Sequence, residues 1–127
     1  MKKYSIISEE SELLLNYIDL KEYTKLITSK KTKIIALGSI ISEESNESQQ
    51  ALWELASEND VEINYLSIEN FSEKELDTLY TSLGYFENNE TGIPMILVVK
   101  NKQVLDSSLE NLDKEGYIEF LKNNNLM

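Results

Sequence analysis

The chain has 127 residues, a length that predicts one domain over residues 1–127, able to bury about two thirds of the surface that its unfolded form exposes. With 41% hydrophobic and 28% charged residues it is neither disordered nor membrane-like in composition. Twelve basic against 23 acidic side chains leave a net charge of −11, a field that opposes phosphate backbones and anionic bilayers, so neither a nucleic-acid partner nor membrane insertion is expected.

The chain has no cysteine and no histidine. That removes thiol nucleophiles, imidazole bases, Ser-His-Asp triads and Cys/His zinc sites together. Carboxylate pairs, lysine, tyrosine or an oxygen-only metal site would have to carry any catalysis. No Asp-x-Asp-x-Asp-Gly loop, phosphate-cradling glycine loop or Gly-x-Gly-x-x-Gly turn is present, and no cofactor is expected. The start Met1-Lys2-Lys3-Tyr4-Ser5-Ile6-Ile7 turns acidic at Ser8-Glu9-Glu10, too soon for a secretory signal, which predicts a cytoplasmic protein. The Asn-x-Ser/Thr triplets at Asn46, Asn70 and Asn89 are then composition rather than glycosylation sites.

In chain order, Leu13 to Ile18 reads as a short strand, with helix as the open alternative. Asp19 and Glu22 then form a helix start, Ile18 and Tyr23 its staple, and Tyr23, Leu26 and Ile27 its inner face. Lys33 to Ser39 is apolar on both alternating faces, as in a central strand covered by helices on each side. A helix follows from Glu43 or Asn46 to Asn59, with Leu52, Leu55 and Ala56 inward, and Val61 to Ile68 is a second buried strand, parallel by its helical crossover. Trp53, one position off that inner face, reads as a partly buried packing residue.

Ser72 and Glu75 make a capping box, with Phe71 stapled to Leu76, and Leu76, Leu79, Tyr80 and Leu83 face inward before Gly84 ends the helix. A polar loop, Glu87 to Thr91, precedes two strands with hairpin spacing, Ile93 to Lys100 and Gln103 to Ser107, joined by Asn101-Lys102. A last helix begins near Asp113, with Tyr117, Phe120 and Leu121 on one stripe. Ile-Ile-Ser-Glu-Glu-Ser occurs twice, at residues 6–11 and 40–45.

Gly92-Ile93-Pro94, holding the only proline, enters the strand that continues Leu97-Val98-Val99-Lys100-Asn101-Lys102-Gln103-Val104. With the preceding order of helix, strand, helix, strand and helix, this resembles thioredoxin-like proteins over residues 13–126. The resemblance implies an α/β fold with a central mixed sheet of four to five strands flanked by helices. It also implies a cis peptide bond at Pro94, beside the start of the active-site helix. Length and layout are also similar to the bacteriocin transport accessory proteins of Gram-positive bacteria, which implies an accessory role in transport.

At the place where such proteins carry Cys-x-x-Cys, this chain has Ser42-Glu43-Glu44-Ser45. A serine hydroxyl neither forms a disulfide nor exchanges one, so the resemblance implies a redox-inactive member of the group. The plain reading of these four residues is a capped helix start, serine at the N-cap and glutamates against the helix dipole. The glutamates also occupy the positive field that a reactive thiolate would use. Whether the serines are native or replace cysteines stays open from sequence, although the glutamate pair counts against replacement.

Such proteins hold extended peptide against the backbone before the proline. This implies a protein or peptide partner for Gly92, Ile93 and Pro94, with Ser42 and Ser45 as contacts or caps. Glu87 and Glu90, if they face Glu43 and Glu44, would make an acidic rim for a cation, a basic peptide or carboxylate chemistry; a solvated loop is the plainer reading. Tyr80, Tyr85 and Phe86 are either an aromatic surface or packing.

Overall fold

In the computed structural model, which describes residues 15–87 and 89–127, the chain runs β1 (Leu15–Ile18), α1 (Leu20–Leu26), β2 (Lys33–Gly38), α2 (Glu43–Asn59) and β3 (Ile63–Ser67). It continues with α3 (Glu73–Thr81), a 3-10 turn (Gly84–Glu87), β4 (Met95–Lys100), β5 (Gln103–Ser108) and α4 (Lys114–Asn123). The five strands form one mixed sheet in the order β1-β3-β2-β4-β5, parallel across β1, β3 and β2 and antiparallel across β2, β4 and β5.

The sheet is buried on both faces because β2 and β4 have no polar alternation to offer solvent. Ile34 and Ala36 point into one layer with Leu52, Leu55, Ala56, Tyr65, Ile96, Tyr117 and Leu121, under α2 and α4. Ile35 and Leu37 point into the other with Tyr23, Ile27, Leu79, Leu83, Leu97 and Val99, under α1 and α3. Asn64 is the polar residue buried within a strand. Its amide donates to the Ile34 carbonyl at 3.1 Å and its carbonyl oxygen accepts from Asn16 at 3.0 Å, so burial leaves it partnered.

Both predicted capping boxes form: Asp19 with Glu22 on α1 and Ser72 with Glu75 on α3. The first strand is a strand, its described part starting at Leu15; residues 13–14 and the first copy of the repeat lie outside the described residues. Several boundaries differ from the sequence reading. β3 is confined to Ile63–Ser67 and β4 opens at Met95, not Ile93, because pairing with β2 stops at Leu37↔Met95. The helix α3 ends at Thr81 with Ser82 as its cap, and Gly84 opens the 3-10 turn instead of ending the helix. Leu76 and Tyr80 are only partly buried, leaving Leu79 and Leu83 as the inner face. Among the described residues no helix is long and apolar enough to cross a membrane.

Three buried tyrosines couple this core to pH. Burial pushes the Tyr23 phenol up to about 12 from 10.0. Burial also raises Tyr65, with Tyr17 and Glu69 nearby adding to it, and raises Tyr117 against the opposing hydrogen bond from Ser48 at 2.6 Å. The folded chain therefore holds these protons more tightly than the unfolded one, so their stabilisation is intact below about pH 10 and is lost as pH rises through the folded values. In a phenolate absorbance titration followed together with circular dichroism, the buried tyrosines should ionise only as the fold is lost; ionisation of all seven tyrosines near pH 10 with helix signal intact would contradict this packing.

Candidate functional site

β2 ends at Gly38 in the middle of the sheet, with Leu37 paired to Met95, and this pairing brings the Ile93–Pro94 segment to the same sheet end as the start of α2. The Ile93–Pro94 peptide bond is cis. Pro94 is buried, while Gly92 and Ile93 are half-buried, so Pro94 forms the floor of this region and Ile93 its accessible part.

The connection from β2 to α2 satisfies its own backbone. The Ile40 N–H donates to Glu69 Oε1 at 3.1 Å, the Ile40 carbonyl accepts from Asn46 Nδ2 at 3.0 Å, and the Ser42 N–H donates to the Ser39 carbonyl at 3.1 Å. On its other side, the Gly38 carbonyl accepts from the Ile68 N–H at 2.9 Å, and Ser39 is buried. Yet the two side chains at its apex face water, Ile40 62% and Ile41 84% exposed. The loop thus has its backbone hydrogen-bonded to Glu69, Asn46 and Ser39 while its two apolar side chains stay in water.

The two serines have different surroundings. Ser42 is the N-cap of α2, its Oγ accepting from the Ser45 N–H at 3.1 Å. Ser45 is fully buried and its hydroxyl has no hydrogen-bond partner. Of the two serines expected as contacts or caps, Ser42 caps the helix, and the Ser45 hydroxyl reaches neither solvent nor a polar partner. Glu43 and Glu44 are exposed in the first turn, where they complement the helix dipole.

Beneath this turn, Gly38 is required by its neighbours. A Cβ there would stand 2.0 Å from the Tyr65 Oη and 2.8 Å from its Cζ, with Ser45 Cβ at 3.4 Å, so the missing side chain is the space that the Tyr65 phenol fills. At the rim, Leu109 is 40% exposed and its Cδ2 lies 3.5 Å from where a Cβ on Gly92 would stand, which places another apolar side chain against the Gly92 backbone.

Other candidates separate. Glu87 and Glu90 are exposed, but among the described residues no group of three or more acidic side chains is arranged to hold a metal, so the acidic rim does not assemble as a metal site with Glu43 and Glu44. Phe86 is buried and meets Tyr80 and Tyr85 edge-to-face at 5.3 and 5.6 Å, while the Tyr85 hydroxyl bonds Ser107 Oγ at 2.5 Å; these rings are packing that ties the 3-10 turn to β5. Trp53 packs against the layer under α2 and α4. Glu69, Asn46 and the exposure of Ile40 and Ile41 were not found by sequence reading. An apolar pair placed after the strand's last buried residue and before a capping serine is the signal that could have flagged them.

No family model matches the chain, and no curated protein matches it in sequence. Solved structures do. Thioredoxin from Aeropyrum pernix is 18% identical with a TM-score of 0.63, over 85% of each chain. Thioredoxin f2 of Chlamydomonas reinhardtii is 15% identical at 0.65, over 89% of this chain and 98% of its own. Thioredoxin f of spinach chloroplast is 12% identical at 0.65, over 98% and 99%. The chain has the thioredoxin fold, and with no cysteine it lacks the atoms for thiol–disulfide exchange. The similarity to bacteriocin transport accessory proteins gains no support from these structures.

The environments of the serines predict opposite responses to alanine. Ser42→Ala should cost about 1 kcal/mol of stability through the lost cap. Ser45→Ala should be neutral or stabilising, because it removes a buried hydroxyl that has no partner. Gly38→Ala should cost about 1–3 kcal/mol by overpacking, and much less in a Tyr65→Leu background. Urea unfolding of the single and double variants checks all three, and equal costs for the two serines would contradict the assigned roles.

Proposed function

We propose that this chain is a redox-inactive binding module that takes a protein or peptide segment at the sheet end shared by the β2–α2 loop and Ile93–Pro94. The observation that carries the reading is the exposure of Ile40 and Ile41 on a loop whose backbone is tied down by Glu69, Asn46 and Ser39. Apolar side chains held out by a fixed backbone lose little conformational freedom on contact, which is what makes a surface favourable for docking. Ile93 and Leu109 extend the apolar surface available there, and Ser42 acts as a structural cap rather than a contact.

The thioredoxin fold supports this reading through its shape, with no role for sulfur. Action is by binding, in the cytoplasm, with the acidic side chains serving the surface rather than catalysis. An accessory role in bacteriocin transport would be one use of such a module, and no feature of the site favours it over others.

Peptides selected against the protein from a random display library should, when titrated into isotopically labelled protein, shift the amide resonances of residues 40–45 and 92–93. The double variant Ile40→Ser, Ile41→Ser should weaken their binding about tenfold or more, as expected for loss of a central apolar contact, without lowering stability. Selected peptides that perturb another face, or that bind the double variant equally well, would contradict the assignment.

A further inference from the structure

Charge is distributed unevenly along the strand axis: lysines gather at one sheet end, where Asp60 and Glu62 stand beside Lys33, and carboxylates predominate at the other. Lys30 and Lys31 precede β2, Lys33 opens it, and Lys100 and Lys102 sit at the β4–β5 turn. Backbone bonds from Asn101 N–H to the Ser29 carbonyl at 2.7 Å and from Lys102 N–H to the Ile27 carbonyl at 2.6 Å gather them at one end of the sheet. Among the described residues none of these lysines is in an ion pair, the salt bridge present being Lys114 to Glu58 at 2.9 Å.

The other end carries the candidate site, and the connections that meet there are acidic. They contribute Glu43 and Glu44 after β2, Glu69 after β3, Glu87 and Glu90 before β4, and Glu110 after β5. Between Lys33 and Lys100 the sequence holds a single basic residue, Lys74. The exposed Ile40 and Ile41 therefore stand at a sheet end where, among the described residues, carboxylates outnumber the basic residues Lys21 and Lys74.

We infer that the segment taken at this site is cationic, with an apolar core flanked by lysine or arginine. This rests on the binding reading above and adds the partner's charge to it. A basic segment is drawn more strongly to the apolar, acidic end than to the end where the lysines offset Asp60 and Glu62, so the field both speeds encounter and orients it. An acidic segment meets repulsion at the site, and a neutral one has only the apolar contact. Because the carboxylates are exposed, their contribution acts across solvent and is screened within about 8 Å at physiological salt.

An array of peptides with one set of apolar cores, each flanked by lysine, serine or glutamate, separates these cases. The lysine-flanked form of a core should bind about tenfold more tightly than the serine-flanked form at low salt, with the advantage gone at high salt. Glu43→Gln with Glu44→Gln should reduce the ratio of lysine-flanked to serine-flanked affinity, and Ile40→Ser with Ile41→Ser should weaken both forms while keeping that ratio. Equal binding of lysine- and serine-flanked forms, or preference for glutamate, would overturn the charge inference and leave the binding reading standing. Absence of binding by every peptide in the array would overturn both.

Discussion

Everything at the candidate site depends on β2 being buried on both faces and paired on both edges. Its residues from Ile34 to Gly38 have no exposure to give up, with β3 held parallel on one side and β4 antiparallel on the other. The chain must therefore leave the sheet at its centre, directly over the layer where Tyr65 and Ser45 pack. Gly38 is the hinge of that exit: any side chain there would occupy the place of the Tyr65 phenol. The loop after it is then tied by bonds to a neighbouring connection, Glu69, and to its own helix, Asn46, with its isoleucines held outward.

This construction also explains why the place that carries thiols in thioredoxin-like proteins has a different character here. Ser45 is sealed without a partner, Ser42 is engaged as a cap, and two exposed glutamates fill the positive field of the helix end. These are the features of a helix start secured for packing. What distinguishes the surface is the pair of isoleucines beside it and the predominance of carboxylates in the connections at this end of the sheet. The fold is shared with thioredoxins, while the groups presented at this sheet end are this chain's own.

Much of the architecture was legible because it is written locally. Capping boxes at Asp19 and Ser72 involve residues three apart, β2 announces its burial by an unbroken apolar run, and the hairpin declares itself by spacing around Asn101-Lys102. The site's particulars were not legible because they are made by residues far apart in sequence. Glu69 reaches Ile40 across 29 positions, and Tyr65 meets Gly38 only because two parallel strands place them side by side. Burial separates Ser42 from Ser45 although both suit a helix start equally well by composition.

The central claim is that the β2–α2 loop is fixed before any partner arrives. Amide hydrogen exchange of the free protein, read at Ile40, Ile41 and Ser42, tests it most directly, since these N–H groups bond Glu69, the Ser39 hydroxyl and the Ser39 carbonyl. The account predicts exchange well slower than in an unstructured peptide at all three, with Glu69→Ala releasing Ile40 selectively. Exchange at the unstructured rate across Ile40 to Ser42 in the intact fold would contradict it.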